Sequence, residues 1–343
     1  MKVSTIEEIG ESQWDDYVNG HQQASVYHLS VWRAVLANVF NSRCHYLAAV
    51  SESGDVCGVL PLVHFKSRLF GHFLVSMPYF NHGGVLSSNS DASEALIKHA
   101  VGLSETLGVT HMELREFQPR ENGWQHKDEK VLMLLDLPDD PEHLSKSIGA
   151  KRRSQIRRPE REGASTKIGG RELLDDFYAV FSRNMRDLGT PVYTKKLFEH
   201  ILAARPAETF IVVIYLNELP VAAAFLVGYR QTIEIPWASS LREYNRLGTN
   251  MKLYWEVLRH SILKGYKSFD FGRSTLDGPT YKFKKQWGAK PKQCYWNYWL
   301  AEGGELPQLN PQNPKYKLAI AGWKRLPLIA ANLIGPHIVK FLP

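Results

Sequence analysis

Hydrophobic and polar positions repeat one arrangement twice along this chain. His45 to Val50 (HYLAAV) reads as a strand, Glu52-Ser53-Gly54-Asp55 as a turn, and Val56 to Val63 as a second strand. Phe210 to Tyr215, the turn Asn217-Glu218-Leu219-Pro220, and Val221 to Tyr229 follow the same order. Each half then carries a further strand-like stretch, Leu74-Val75-Ser76 or Ile233 to Trp237, and a polar loop that opens a helix. The helices are expected over about Ala92 to Leu107, with Ser90 or Asp91 as N-cap, and over about Asn250 to Leu263. Each ends at a glycine, Gly108 or Gly265, and each glycine leads into an alternating strand, Thr110 to Leu114 or Lys267 to Phe271. The two glycines lie 157 positions apart (265 − 108). The repeat predicts a mixed α/β chain of two tandem domains, each a mixed sheet flanked by helices.

The boundary falls near Pro138-Asp139-Asp140-Pro141, which breaks the run Val131 to Leu137. That run reads as the last strand of the first module. The expected domains are residues 1–140, completed by part of 300–343, then 141–300, then a C-terminal extension over 301–343. Helical patterns open the second half, one of them placing Leu173, Leu174, Phe177, Val180 and Phe181 on one face. The last stretch, Trp323 to Pro343, is apolar with flanking cations. Pro327, Gly335 and Pro336 forbid a straight spanning helix. It reads either as a segment lying on the inner membrane face or as packing for the first module.

Composition narrows the classes. With 44% hydrophobic and 22% charged residues the chain is an ordinary globular one, and its formal net charge of +7 suits an anionic partner such as a phosphorylated substrate, transfer RNA or a membrane surface. Cys44, Cys57 and Cys294 form no C-x-x-C pair, which argues against a zinc site or a disulfide framework. Neither a signal-peptide pattern nor a run of about 20 apolar residues occurs, so a cytoplasmic protein is expected. There is no G-x-S-x-G elbow, H-E-x-x-H or Walker A loop. No metal or tightly bound cofactor is expected.

Candidate chemistry concentrates in Phe269 to Ala289 (FDFGRSTLDGPTYKFKKQWGA). An apolar strand ends in Asp270, Gly272 and Arg273, and strand ends opening into glycine-bearing loops commonly hold ligands. Tyr281 to Trp287 then alternates aromatics and cations; read with period two, Lys282 and Lys284 share one face and Phe283, Lys285 and Trp287 the other. Lys284 is the leading catalytic candidate, a cation for a developing oxyanion. Asp270 could orient a cation or accept a proton, and Arg273 could clamp a phosphate or carboxylate of the substrate. Gly248, Thr249 and Asn250 open the second central helix, where amides either bind an anionic co-substrate or are simply capped. Tyr79 and Asn81, with His82, Gly83 and Gly84, form a polar loop that reads as an acceptor pocket between the domains or as a tight turn. Glu113, Arg115 and Glu116 occupy the place of Asp270 to Arg273 in the first module. Arg153 and Arg157 lead a basic cluster from Lys151 to Arg161, read as a phosphate-contacting strip or a solvated helix face; Pro159 disfavours one continuous helix there.

Tandem modules with a late strand-DFG-loop-YKFKK-x-x-G signature resemble the FemAB family, which is built from two domains of the GNAT acyltransferase fold. Phe283-Lys284 matches the family's Phe-Lys pair. Arg68-Leu69-Phe70-Gly71, the stretch Val75 to Val85 (VSMPYFNHGGV) and Arg186 to Pro191 (RDLGTP) resemble FemAB-like proteins found alongside exosortase and exopolysaccharide systems. The resemblance implies N-acyl transfer, with aminoacyl-tRNA or acyl-CoA as co-substrate and an amine on a cell-envelope, peptidoglycan-type or exopolysaccharide precursor as acceptor. It places Lys284 where the family lysine stabilises developing charge or a donor phosphate. GNAT acetyltransferases bind the CoA pyrophosphate with Gln/Arg-x-x-Gly-x-Gly/Ala; Asn245 to Asn250 (NRLGTN) keeps the central glycine and departs at both ends. The competing readings are an acetyl-CoA-dependent N-acetyltransferase and a non-catalytic RNA- or lipid-binding module.

Overall fold

A computed structural model describes residues 1–121, 123–307 and 314–342. Part of the Pro- and Asn-rich stretch after Trp299 therefore lies outside the described residues. The chain divides into two compact units: Met1–Val131 with Gln293–Leu309 and Lys340–Pro343, and Leu132–Lys292 with Asn310–Val339.

Among the described residues each unit is built on one mixed sheet. In spatial order the first runs β1 (Lys2–Thr5), β2 (Arg43–Val50), β3 (Val56–Ser67), β4 (Gly71–Val75), β6 (His111–Glu116), β15 (Tyr295–Leu300) and β7 (Gln125–Lys127), with β5 (Leu86–Ser87) also on β3. The second runs β14 (Lys290–Gln293), β8 (Lys130–Asp136), β13 (Ser268–Thr275), β12 (Thr232–Ser240), β11 (Leu219–Tyr229), β10 (Thr209–Leu216) and β9 (Ser165–Gly169). The expected repeat is present. In each sheet two antiparallel hairpin strands lead to one parallel pair, β4–β6 or β12–β13.

The run Val131 to Leu137 does not close the first sheet as its position suggested. It supplies β8 of the second sheet, while β15, from late in the chain, inserts between β6 and β7 of the first. Pairing partners of this separation leave no trace in local patterning.

The helix Ser90–Leu107 buries Ala92, Leu96 and Ala100 against Leu47, Leu60, Leu62 and Leu74 of the first sheet. Its N-cap is Asn89, one residue before the expected cap, whose side chain accepts the Ala92 N–H at 2.9 Å. Gly108 ends it in the left-handed conformation, φ +66°. The helix Leu174–Leu188 likewise buries Leu174, Phe177, Val180 and Phe181.

Two readings are corrected. Gly149–Arg161 is one continuous helix with Pro159 in its last turn. Pro279–Lys285 is a helix and not a strand: Gly278 caps it, Pro279 takes the first helical position, and Tyr281 and Lys284 share its buried side. Seven residues alternating aromatic and cation satisfy either period, and the Gly-Pro start decides.

Trp323 to Leu342 forms no straight rod. Pro314–Trp323 and Leu328–Val339 are separate helices, the second packed on Leu174–Leu188 of its own unit, while Lys340 and Phe341 belong to the first unit, where Phe341 stacks on Phe70. No helix among the described residues is long and apolar enough to cross a membrane.

Candidate active site

The site is set by where β12 and β13 part. Their parallel ladder covers three pairs, Thr232↔Ser268, Ile233↔Phe269 and Glu234↔Asp270, although the strands run on to Ser240 and Thr275. Glu234 and Asp270 thus stand side by side at the last rung, both buried. Pattern reading passed over Glu234; the available signal was a single carboxylate between Ile233 and Ile235 in an apolar run.

The Asp270 carboxylate accepts the Gly272 N–H at 2.6 Å, and Gly272 adopts φ +74°, which lets the backbone fold back onto it. Lys284 reaches in from the helix Pro279–Lys285. Its Nζ donates to the Gly272 carbonyl at 3.0 Å and the Arg273 carbonyl at 2.8 Å. An ammonium has three N–H donors, so this geometry uses two.

Burial dominates the titration of both groups. It pulls Lys284 down to about 8, against the opposing pull of Asp270 and Glu234 and with added repulsion from Arg273. It pushes Asp270 up to about 6, opposed by the Gly272 N–H and then by Lys284 and Lys292. Near neutral pH a charged lysine and an ionised aspartate coexist in a dry setting, with pKa values close enough to working pH for proton transfer. The lysine is therefore a buried helix residue and not the strand residue that alternation implied. Phe283 and Trp287 pack around Tyr254 as ring contacts at 4.9 and 6.4 Å.

Gly248 caps the helix Thr249–Leu263 at φ +87°, and Thr249 is fully buried. The helix Gly149–Arg161 lies against this start. Pro159 has no N–H to offer the Gln155 carbonyl four residues back. That oxygen instead points at Gly248, where an added Cβ would lie 2.8 Å from it. The space beside the helix opening thus already holds a partial negative charge. We expect Gly248→Ala to cost about 1–3 kcal/mol, from left-handed strain and this collision, read as a lowered melting temperature.

The basic helix is fastened by buried Ile156 and Pro159 and by an ion pair from Glu160 to Lys252, which also binds Glu256 at 2.6 Å. Arg153 donates to the Ser145 carbonyl at 2.9 Å and so clamps the preceding helix end, whereas Arg157 is exposed with Lys151, Arg158 and Arg161. Of the expected pair, only Arg157 belongs to an open cationic surface.

The first unit has the same geometry with a different filling. Its parallel ladder also covers three pairs and ends at Val75↔Glu113, and Glu113 lies 157 positions before Asp270 (270 − 113). Here Glu113 pairs with Arg115 at 2.7 Å and accepts the Tyr298 hydroxyl at 2.7 Å. Arg115 also donates to the Phe80 carbonyl at 2.7 Å. The loop after β4 folds back onto this pair, with Gly83 and Gly84 N–H groups donating to the Arg115 carbonyl at 3.2 and 3.1 Å. Tyr79 is buried, lies tilted against Phe40 at 4.8 Å and donates to the Lys340 carbonyl at 2.8 Å, while Asn81 is half-buried in the same loop. A cleft of about 360 Å³ in this unit is lined by Arg43, His64, Lys66 and Lys340 among others, and takes in neither Tyr79 nor Asn81.

Residues 150–285 match the acetyltransferase (GNAT) domain family, a span that includes Gly248, Glu234, Asp270 and Lys284. Comparison with the sequences of curated proteins gives no match. Among solved structures the chain is similar to FemX, at TM-score 0.68 and 15% identity over 93% of this chain and 100% of that one. It is also similar to the C-terminal domain of a putative lysylphosphatidylglycerol synthetase from Agrobacterium fabrum, at TM-score 0.59 and 15% identity over 87% and 93%. A tandem GNAT protein from the clavulanic acid biosynthesis pathway matches at TM-score 0.57 and 14% identity over 89% and 100%. The chain therefore has the GNAT fold, with two mixed sheets flanked by helices, and the match to the acetyltransferase (GNAT) domain family lies in its second half.

Proposed function

We propose that this protein is an N-acyltransferase whose working site is the parting of β12 and β13. One observation carries the reading: a buried ammonium is held by the Gly272 and Arg273 carbonyls just past the rung that bears the buried Asp270 carboxylate, within the stretch matching an acetyltransferase domain. An amine attacking an ester or thioester passes through a tetrahedral oxyanion. The Lys284 ammonium supplies positive charge to that oxygen through its remaining N–H, and Asp270 takes up the proton the amine loses; collapse of the intermediate leaves the amide, breaks the ester or thioester bond, and that proton passes to the departing alcohol or thiol. Arg273 follows on the same strand, placed to hold an anionic part of the substrate.

We assign an aminoacyl group carried by tRNA as the donor, in preference to acyl-CoA. The Gln155 carbonyl beside Gly248 repels a pyrophosphate at the helix opening, where Gly248, Thr249 and Asn250 would otherwise receive it. The exposed cations Lys151, Arg157, Arg158 and Arg161 suit a polyphosphate backbone. The acceptor is an amine on an anionic envelope or saccharide precursor, a reading supported by the likeness to FemX and to the lysylphosphatidylglycerol synthetase domain. The test is transfer of radiolabelled amino acid from a mixed aminoacyl-tRNA pool to amine acceptors, run beside calorimetry with acetyl-CoA. Micromolar acetyl-CoA binding without aminoacyl transfer would replace this donor with CoA.

The pH profile follows from the two groups. Asp270 must be ionised and Lys284 protonated, so kcat/KM rises as pH passes about 6 and falls as it passes about 8. Asp270→Asn should remove the acidic limb and move the alkaline one to lower pH, because the Asp270 charge helps keep Lys284 protonated. A profile flat from pH 5 to 9, a window spanning both values by about one unit, would exclude the pair as acid and base.

A further inference from the structure

The helix Leu328–Val339 is inverted relative to an ordinary surface helix. It buries its small side, Ala331, Gly335 and Val339, at spacings of four. Gly335 lies so close to the protein body that an added Cβ would stand 2.8 Å from the Val192 N. Its large side chains point outward: Ile329 is 84% exposed and Leu333 71%, with Ile334 at 43%, and Leu318 of the neighbouring helix is 76% exposed.

These residues are not waiting to fold inward, because the helix pair is already fastened by Arg186 to Val192. Arg186 donates to the Leu326 carbonyl at 2.9 Å. Gly189, at φ +83°, accepts Ile320 so closely that a Cβ there would lie 2.6 Å from its Cγ2. Val192 takes Gly335. The RDLGTPV stretch is thus a socket for the C-terminal helices.

Charge identifies what covers the face. Lys317, Lys324, Arg325 and His337 are exposed around it, and residues 306–343 contain no Asp or Glu. A second copy would set like charges against one another across a two-fold axis. A sheet of anionic lipid phosphates matches the cations while its acyl region receives the leucine and isoleucines.

We propose that Leu318, Ile329, Leu333 and Ile334, ringed by Lys324 and Arg325, dock this protein on an anionic bilayer surface without crossing it. The inference stands apart from the acyl-transfer reading and is tested without it. The full chain is floated with vesicles of equal parts phosphatidylcholine and phosphatidylglycerol, and with phosphatidylcholine alone. Wild type should rise with the anionic vesicles and stay behind with the neutral ones. Ile329→Ser with Leu333→Ser should weaken partitioning at least about tenfold, with an unchanged melting curve because both side chains are exposed. Lys324→Glu with Arg325→Glu should abolish the preference for anionic lipid. Wild type that does not float, or serine variants that float equally well, would overturn the proposal. So would a concentration-dependent dimer in sedimentation that the serine pair dissolves without any vesicle binding, which would assign the face to a second copy.

Discussion

Lys284→Ala should lower turnover about 10²- to 10³-fold, the usual loss when one preorganised donor to an oxyanion is removed. The effect should fall on kcat more than on KM, because the charge it meets exists only as the new bond forms. The lysine also holds the Gly272 and Arg273 carbonyls, so a folding loss must be separated from a chemical one. Lys284→Met serves that purpose: it keeps the buried stem and discards the charge. If methionine melts near wild type and is as inactive as alanine, the ammonium acts in the reaction. Near wild-type turnover in both variants would leave it as a brace for the β13 end alone, and the acyl-transfer site would have to be sought elsewhere.

Arg115→Met should destabilise the first unit by about 3–5 kcal/mol, the cost of stranding one member of a buried ion pair. Arg115 and Glu113 are both almost completely buried, and Glu113 would lose its guanidinium partner while still accepting the Tyr298 hydroxyl. The guanidinium lies 4.6 Å from the centre of the Trp296 ring, so urea unfolding followed by tryptophan fluorescence, compared with a Trp296→Phe background, reports on this place. Adding Glu113→Gln to the same chain should recover much of the loss, since no unpaired charge then remains. A single-variant shift below about 1 kcal/mol would show that water reaches Glu113 and that the first unit's parting strands are not sealed.

How far the sequence could be read depended on whether the information was local. The duplicated order of hairpin, helix and strand was legible, because each element carries its own period and each central helix stops at a glycine. The strand end at Asp270 to Arg273 was legible for the same reason. The partner carboxylate Glu234 was not, since register between two strands 36 positions apart (270 − 234) is written nowhere in either. The short helix Pro279–Lys285 was missed because alternation over seven residues fits two periods. Tyr79 looked like a pocket residue for its polar neighbours, yet its ring is spent on Phe40 and its hydroxyl on Lys340. The Asn245 to Asn250 departure was visible as a spelling change; its physical companion, a carbonyl released by Pro159, needed coordinates.

The exchange of β8 and β15 between the sheets also governs how the polypeptide matures on the ribosome. The first sheet lacks an interior strand until residues 295–300 emerge, by which time the whole second sheet has been synthesised. The earlier unit therefore cannot complete its sheet until the strands of the later one have been synthesised. Severing the chain between β8 and β9 would leave the first fragment's sheet without β15 and the second fragment's sheet without β8.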